Sequence, residues 1–222
     1  MHTPGGFHLP SGRCGARERS LWPRLRRGGL KRVILLTETA SGPAGGSRPP
    51  VGTPFLLSLG SNLGDRRAHL ESGLRSLAVH VQIEAVSRVV ESEAWGPVSQ
   101  GSYLNLVVRG RTVGEPAELL RIAQEAEAGA GRRREVRYGP RTLDVDLLFF
   151  GDLTSDDPKL TLPHPHWEER PFVHALVREV AGDVVDPRSG VPLAQLVPGG
   201  VLPDGLREVE PLGGFPGGEG AR

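Results

Sequence analysis

Three features of the sequence predict an α+β fold, an antiparallel sheet with its helices on one face and a site on the other. Apolar residues recur with a two-residue period in some stretches and a three-to-four-residue period in others, in the order strand, helix, strand, strand, helix, strand. Two of the strands, near 103–108 and 143–150, keep leucine and valine on one side and place tyrosine, asparagine and aspartate on the other. Glycine and proline separate the elements at the spacing of short connections. That order, βαββαβ, is a split βαβ unit, a ferredoxin-like sandwich.

Order begins near Thr53. Phe55, Leu57 and Leu59 alternate with Leu56 and Ser58 before Gly60-Ser61-Asn62, a buried strand entering a glycine turn. Asp65 can cap the helix that follows, whose apolar face carries Leu70, Leu74, Leu77, Ala78 and Val81. Residues 82–91 return to a strand with Ile83, Ala85 and Val89 on one side, and Trp95-Gly96-Pro97 forces a loop. In the next strand Leu104, Leu106 and Val108 share one face, Tyr103 and Asn105 the other. Pro116 suits the first turn of a second helix, whose stripe is Leu119, Ile122, Ala123, Ala126 and Ala130. The last strand buries Leu143, Val145 and Leu147 and turns Asp144 and Asp146 the opposite way. With the leucines and valines meeting the helices, the second face is expected to stay open, and Tyr103, Asn105, Asp144 and Asp146 to converge there.

The chain of 222 residues holds one ordinary domain with tails, which excludes fused activities. Residues 1–51 read as a basic extension rich in Gly, Pro and Arg, residues 52–199 as the folded domain, and 200–222 as a Gly/Pro-rich tail. Residues 1–50 carry nine basic residues against two acidic ones, so the remainder is net acidic and has no need of a polyanionic partner. Two readings of this segment stand: an unfolded tail, or upstream sequence translated from an over-early start. Arg26-Arg27 only faintly resembles an export signal, because the apolar run Val33–Leu36 is too short. A single cysteine, Cys14, excludes a disulfide scaffold and fits a reducing compartment, the cytoplasm, and no stretch reaches membrane-spanning length. Deletion of residues 1–50 is expected to leave folding and turnover nearly unchanged. Loss of soluble, active protein on truncation would show instead that the basic segment packs on the acidic body.

Two carboxylates at i and i+2 on a strand stand roughly 7 Å apart at their α-carbons, close enough to hold hard cations. Just upstream lie Arg132, Arg133, Arg134, Arg137 and Arg141, whose guanidinium groups suit bidentate binding of phosphate oxygens. Acid for metal and arginine for phosphate is nucleotide chemistry. The plainer alternative is a strand end where arginines merely neutralise the aspartates. Lys31 and Lys159 are the only lysines and neither follows a glycine-rich loop, so a Walker-type NTPase is excluded.

Four blocks carry a resemblance: SLGSNLGDR at 58–66, ESEAWGPVSQGSYLN at 91–105, GRRREVRYGPRTLDVDLLFFG at 131–151 and LPHPHWEERPF at 162–172. Together they make the chain from about Thr53 to Pro198 similar to the hydroxymethyl-dihydropterin pyrophosphokinases of folate biosynthesis, which transfer the terminal diphosphate of ATP to a pterin alcohol and release AMP. The resemblance implies that Asp144 and Asp146 ligate two Mg2+ ions that bridge the ATP phosphates, and that Arg132 and Arg141 are the catalytic arginines. It assigns Arg134, Arg137, His164, Arg170, Gln124 and Glu127 to ATP. Tyr103 and Phe172 would sandwich the pterin ring, Asn105 would pair with its hydrogen-bonding edge, and Ser92, Glu93 and Trp95 would line the pterin loop. Ser-Glu-Ala at 92–94 departs from the Thr-Pro-Pro of some members. The implied partners are ATP and hydroxymethyl-dihydropterin, with no nucleic acid or membrane, acting on a monomer. A rival class, an RNA-binding ferredoxin-like module using the arginine loop, meets an electrostatic obstacle in the paired aspartates. A second rival, an inactive descendant, meets metal and phosphate positions that are all filled.

Overall fold

The computed structural model describes residues 51–94, 99–132, 139–197 and 202–216. Trp95, Arg134 and Arg137, like the basic segment at the N-terminus, lie outside the described residues. The elements run β1 (Thr53–Ser61), α1 (Arg66–Ala78), β2 (Gln82–Val86), β3 (Val89–Ser92), β4 (Tyr103–Thr112), α2 (Pro116–Gly129), β5 (Asp144–Phe150), β6 (Ser155–Asp157), β7 (Leu160–Leu162), α3 (Pro171–Ala181), α4 (Leu193–Leu196) and β8 (Leu206–Val209). Among the described residues β1 lies between β5 and β4 in a six-stranded antiparallel sheet, and the far side of β4 pairs with both β2 and β3. β6 and β7 form a separate hairpin.

Asp65 caps α1 as its position implies, its Oδ1 accepting the Ala68 N–H at 3.0 Å, and Pro116 opens α2, where a missing N–H costs nothing. The two helices lay Leu70, Leu74, Leu77, Leu119, Ile122 and Ala126 on Phe55, Leu57, Leu59, Leu104, Leu106, Val108, Val145 and Leu147. Each fully buried leucine or phenylalanine there contributes roughly 1.5–3 kcal/mol relative to exposure. Ala78 is exposed, contrary to its place in the expected stripe: α1 ends at that residue, and Val81 reaches the core from the turn beyond.

The single strand expected over 82–91 is two. Ser87 is the reason: its N–H donates to the Val107 carbonyl at 2.9 Å, and its buried hydroxyl accepts the Val107 N–H at 2.9 Å. One serine thus satisfies both backbone groups of its partner, and the chain gains a residue relative to β4, a bulge. The side-chain parity flips across it, and it flips once more at a second irregularity between Ile83 and Ala85. Ile83, Val86 and Val89 consequently pack on the helix-side core, whereas Ala85 does not.

The second face is not open along its whole length. α3 lays Val173, Leu176 and Val177 over Leu56, Val90, Val107, Leu148 and Phe149, with Trp167 edge-on to Phe149 at 5.1 Å. β1 shows the effect: Phe55 to Ser61 are buried without a break, as in a strand covered on both sides. What stays uncovered is the polar half of that face.

Residues 202–216 are not a tail. β8 pairs with β3, Leu212 is buried in the helix-side core, and the Pro216 carbonyl accepts the Val86 N–H at 2.7 Å. Truncation after residue 201 is expected to lower the melting temperature clearly, since Leu212 alone accounts for roughly 1.5–3 kcal/mol. A truncated chain that melts like the full one would remove β8 from the folded unit.

Candidate active site

The uncovered half of the second face forms a cavity of about 240 Å³. Its floor follows from the register. Gly60 of β1 stands opposite Asn105 of β4 on one side and Asp144 of β5 on the other, and Ser58 stands opposite Asp146. Cross-strand partners share a face, so the pleat brings Ser58, Gly60, Asn105, Asp144 and Asp146 to one surface, with Tyr103 two residues before Asn105. Gly60 is required for closeness: a Cβ there would meet Asn105 Oδ1 at 3.1 Å and the Tyr103 ring at 3.4 Å. Asn105 is buried and donates from Nδ2 to Ser92 Oγ at 2.9 Å, which fixes the orientation of its amide.

Opposite this floor, the segment entering α3 supplies Arg170, the residue before the helix, and Phe172 in its first turn. Arg141 arrives from the loop before β5, held by Asn62 of the Gly-Ser-Asn turn. The Arg141 N–H donates to Asn62 Oδ1 at 2.7 Å, the Asn62 N–H donates to the Arg141 carbonyl at 3.1 Å, and Asn62 Nδ2 donates to Gln100 Oε1 and the Gly101 carbonyl. That turn is therefore a clamp between the arginine segment and the far wall of the cavity.

The charges are interleaved. Asp144 accepts from Arg132 at 2.7 Å through Oδ1 and from Arg141 through Oδ2, and Asp146 Oδ2 accepts from Arg170 Nη1 at 2.6 Å with His164 Nε2 at 4.0 Å. Burial works against the charge on Asp146, but Arg170, His164 and Arg141 outweigh it and hold its carboxyl below the ordinary value. Burial, with Arg170 and His166 nearby, depresses His164 despite the opposing pull of Asp146, which favours a neutral imidazole. Burial likewise raises Tyr103, so its hydroxyl stays protonated. Arg141 loses some preference for its charge to burial and regains more from Asp144, ending above the ordinary value. Both alternatives read from the sequence thus concern the same side chains: the arginines that suit phosphate are, in this form, the partners of the aspartates.

Of the residues expected at the site, Ser92, Glu93, Tyr103, Asn105, Arg141, Asp144, Asp146, Arg170 and Phe172 line the cavity. Arg132 and His164 reach its edge through Asp144 and Asp146. Gln124 is exposed on α2, and Glu127 is buried behind β5, where its carboxylate accepts the Val145 N–H at 2.9 Å and a bond from Arg132. Neither lines the cavity. Ser58, Gly60 and Gln100 do, and the reading by residue missed them. The signal was present for two: small residues at 58 and 60 interrupt the leucines of β1 at a period of two, in phase with the aspartates.

Among the described residues no three His, Cys, Asp or Glu side chains are gathered to enclose a metal. A pair of carboxylates on one wall is nonetheless what magnesium uses when phosphate oxygens and water complete its octahedron. The donor set fits a hard cation carried with a polyphosphate.

Fold and cavity define a class: a ferredoxin-like α+β domain whose open half-face sets acids and arginines beside an aromatic, amide-bearing floor, the makings of an enzyme that handles a phosphorylated substrate and a flat ring. The match to a family model described as 7,8-dihydro-6-hydroxymethylpterin-pyrophosphokinase (HPPK) spans residues 56–182. The chain belongs to the HPPK family. It is 36% identical over 146 residues to the 2-amino-4-hydroxy-6-hydroxymethyldihydropteridine pyrophosphokinase of Aquifex aeolicus, covering 66% of this chain and 91% of that one. It is 40% identical over 144 residues to the protein of the same name from Synechocystis, covering 64% and 73%. Among solved structures it superposes on Plasmodium falciparum HPPK-DHPS with pteroate at a TM-score of 0.52 and 13% identity, a likeness of fold. That match covers 68% of this chain and 43% of that longer chain.

Proposed function

We infer that the half-open cavity is where this chain carries out the reaction of its family and that the side chains lining it divide the work. The reaction is pyrophosphoryl transfer from ATP to 6-hydroxymethyl-7,8-dihydropterin, giving the pterin diphosphate and AMP, in folate biosynthesis. The pterin hydroxyl oxygen forms a bond to the β-phosphorus, the bond from that phosphorus to the α,β-bridging oxygen breaks, and the hydroxyl proton is lost. One observation carries the assignment of roles: Asp144, Asp146, Arg141 and Arg170 share a single cavity with Tyr103, Asn105 and Phe172.

Asp144 and Asp146 would hold two Mg2+ ions, which when bound neutralise the triphosphate and polarise its phosphoryl oxygens. Arg132 and Arg141 would turn to phosphate oxygens when Asp144 holds a cation, and Arg170, bonded to Asp146, would do likewise, with neutral His164 4.0 Å from the same carboxylate. Charge developing on the leaving AMP oxygen would thus meet fixed donors and not water. Arg134 and Arg137 remain assigned to ATP by the motif, and Trp95 to the pterin loop. Gln124 and Glu127 fit a supporting part better than contact with nucleotide, since one is exposed outside the cavity and the other braces Val145. On the floor, Asn105 presents an amide whose rotamer Ser92 fixes, and Tyr103 and Phe172 offer ring faces to a planar heterocycle.

Among the described residues no helix is long and apolar enough to cross a membrane. The lone cysteine, Cys14, favours a reducing compartment, the cytoplasm, and the cavity takes its described lining from one chain, as a monomer acting on small molecules would. The test is direct: supply ATP, magnesium and hydroxymethyl-dihydropterin, and follow AMP. Absence of AMP with both substrates bound would reject the reading.

A further inference from the structure

Behind the cavity, on the helix side of the sheet, lies a second polar cluster. Glu91 of β3 is its centre. Its Oε1 accepts from Arg66 Nη1 at 2.8 Å and from Ser102 Oγ at 2.6 Å, and its Oε2 accepts from Arg207 of β8, the residue directly opposite it across the strand pair. Arg66, the first residue of α1, also donates to the Ser102 carbonyl at 2.8 Å. The hydrogen bond from Ser102, with those from Arg66 and Arg207, holds the Glu91 carboxyl down to about 2. The carboxylate is only 13% exposed, although the Arg207 side chain is 77% exposed.

The neighbours of these residues in the chain are what matters. Glu91 precedes Ser92, whose hydroxyl sets the Asn105 amide, and Ser102 precedes Tyr103, the ring over Gly60. Ser92 and Tyr103 are themselves cross-strand partners and both line the cavity. The cluster therefore ties together the two ends of the segment 93–101 from the back of the sheet, and none of its four side chains lines the cavity. Arg207, which extends the tie to β8, lies beyond the residues matched by the family model.

We propose that Glu91, with Arg66, Ser102 and Arg207, is a positioning brace that sets the pterin side of the cavity, and that β8 is recruited through Arg207 to tighten it. The proposal rests on the assignment of Ser92, Tyr103 and Asn105 to the pterin. It makes a selective demand: loosening the brace harms the pterin site more than the nucleotide site, whose aspartates lie on β5 and whose Arg170 lies at the entry to α3, with Arg141 alone joined to the braced segment, through Asn62 and Gln100.

Glu91→Gln keeps the shape and removes the charge, and Arg207→Ala removes one exposed partner, so at least the second should fold. Binding of hydroxymethyl-dihydropterin, in the presence of a non-hydrolysable ATP analogue, and of ATP alone is measured by calorimetry for wild type and both variants, beside steady-state KM for each substrate and thermal melting. Expected is a rise of about tenfold in pterin Kd and KM for Glu91→Gln, the size that one lost charge-assisted hydrogen bond implies, with a smaller rise for Arg207→Ala. ATP binding and kcat should stay within about twofold. Arg207→Lys, which restores charge at the same place, should recover part of the loss. Unchanged pterin affinity in either variant, or equal losses for pterin and ATP, would overturn the brace while leaving the functional reading in place. Failure of the wild type to bind the pterin would instead sink that reading and the brace with it.

Discussion

Asp144→Asn and Asp146→Asn are each expected to lower AMP production by several orders of magnitude. Each change keeps size and hydrogen bonding but takes a negative charge from a wall that has to hold divalent cations against a triphosphate. Excess magnesium should recover part of the loss only where the surviving carboxylate still holds an ion. Two unpartnered carboxylates would make the ligand-free variants as stable as wild type or more so, by relief of repulsion. The structure reverses that expectation, because Asp144 is the counter-charge of both Arg132 and Arg141, and Asp146 of Arg170. Neutralising either strands partly buried guanidinium groups and should lower the ligand-free melting temperature, more for Asp144 with its two partners. The sign with pH is definite. Asp146 titrates below the ordinary carboxyl value when folded, so its contribution is complete above an unfolded pKa of about 3.9 and is lost as pH falls through the lower folded value. Melting without ligand, set beside AMP production across a magnesium titration, separates metal binding from mere ion pairing. A destabilised variant with near-normal specific activity would remove the cation role from these aspartates.

Tyr103→Ala and Phe172→Ala are expected to weaken pterin binding far more than ATP binding. Stacking on an aromatic face is worth on the order of 1–3 kcal/mol, a Kd change of roughly fivefold to over a hundredfold. The two rings differ in what else they support. Tyr103 lies over Gly60 at the edge of the cavity, whereas Phe172 also packs against the core beneath α3, so its truncation should cost some stability as well. Phe172→Leu is the control, since it keeps apolar volume and removes the flat face. Equal losses for ATP and pterin together with early melting would place the ring in the core and out of the substrate site.

Much of the site was legible because strand parity is a local property. Tyr103 and Asn105, Asp144 and Asp146 each sit two residues apart, so their common face follows from the pleat, and Leu104 and Val145 between them say which face is buried. The arginines within the last two blocks were legible as phosphate chemistry, Arg132 and Arg141 by their density and Arg170 through the resemblance, but not which carboxylate each would face. Arg170 and Asp146 are 24 residues apart, and their pairing depends on where α3 docks. Ser58 and Gly60 share that readable period, but neither carries a charge or a ring that would mark a substrate site.

The sequence alone determined the order of the elements from β1 to β5, apart from the break at Ser87, the faces of the long strands, the motif blocks and through them the family, since each depends on residues close along the chain and on periods set by backbone geometry. Tertiary structure decided three things: that α3 covers half of the second face, that residues 202–216 are the edge of the sheet and not a tail, and that the aspartates rest on arginines. All three are non-local. A strand as short as β8 has no periodic signature of its own and becomes a strand only because β3 offers it an unfilled row of backbone groups, while a side chain's partner across a cavity is set by how whole elements pack.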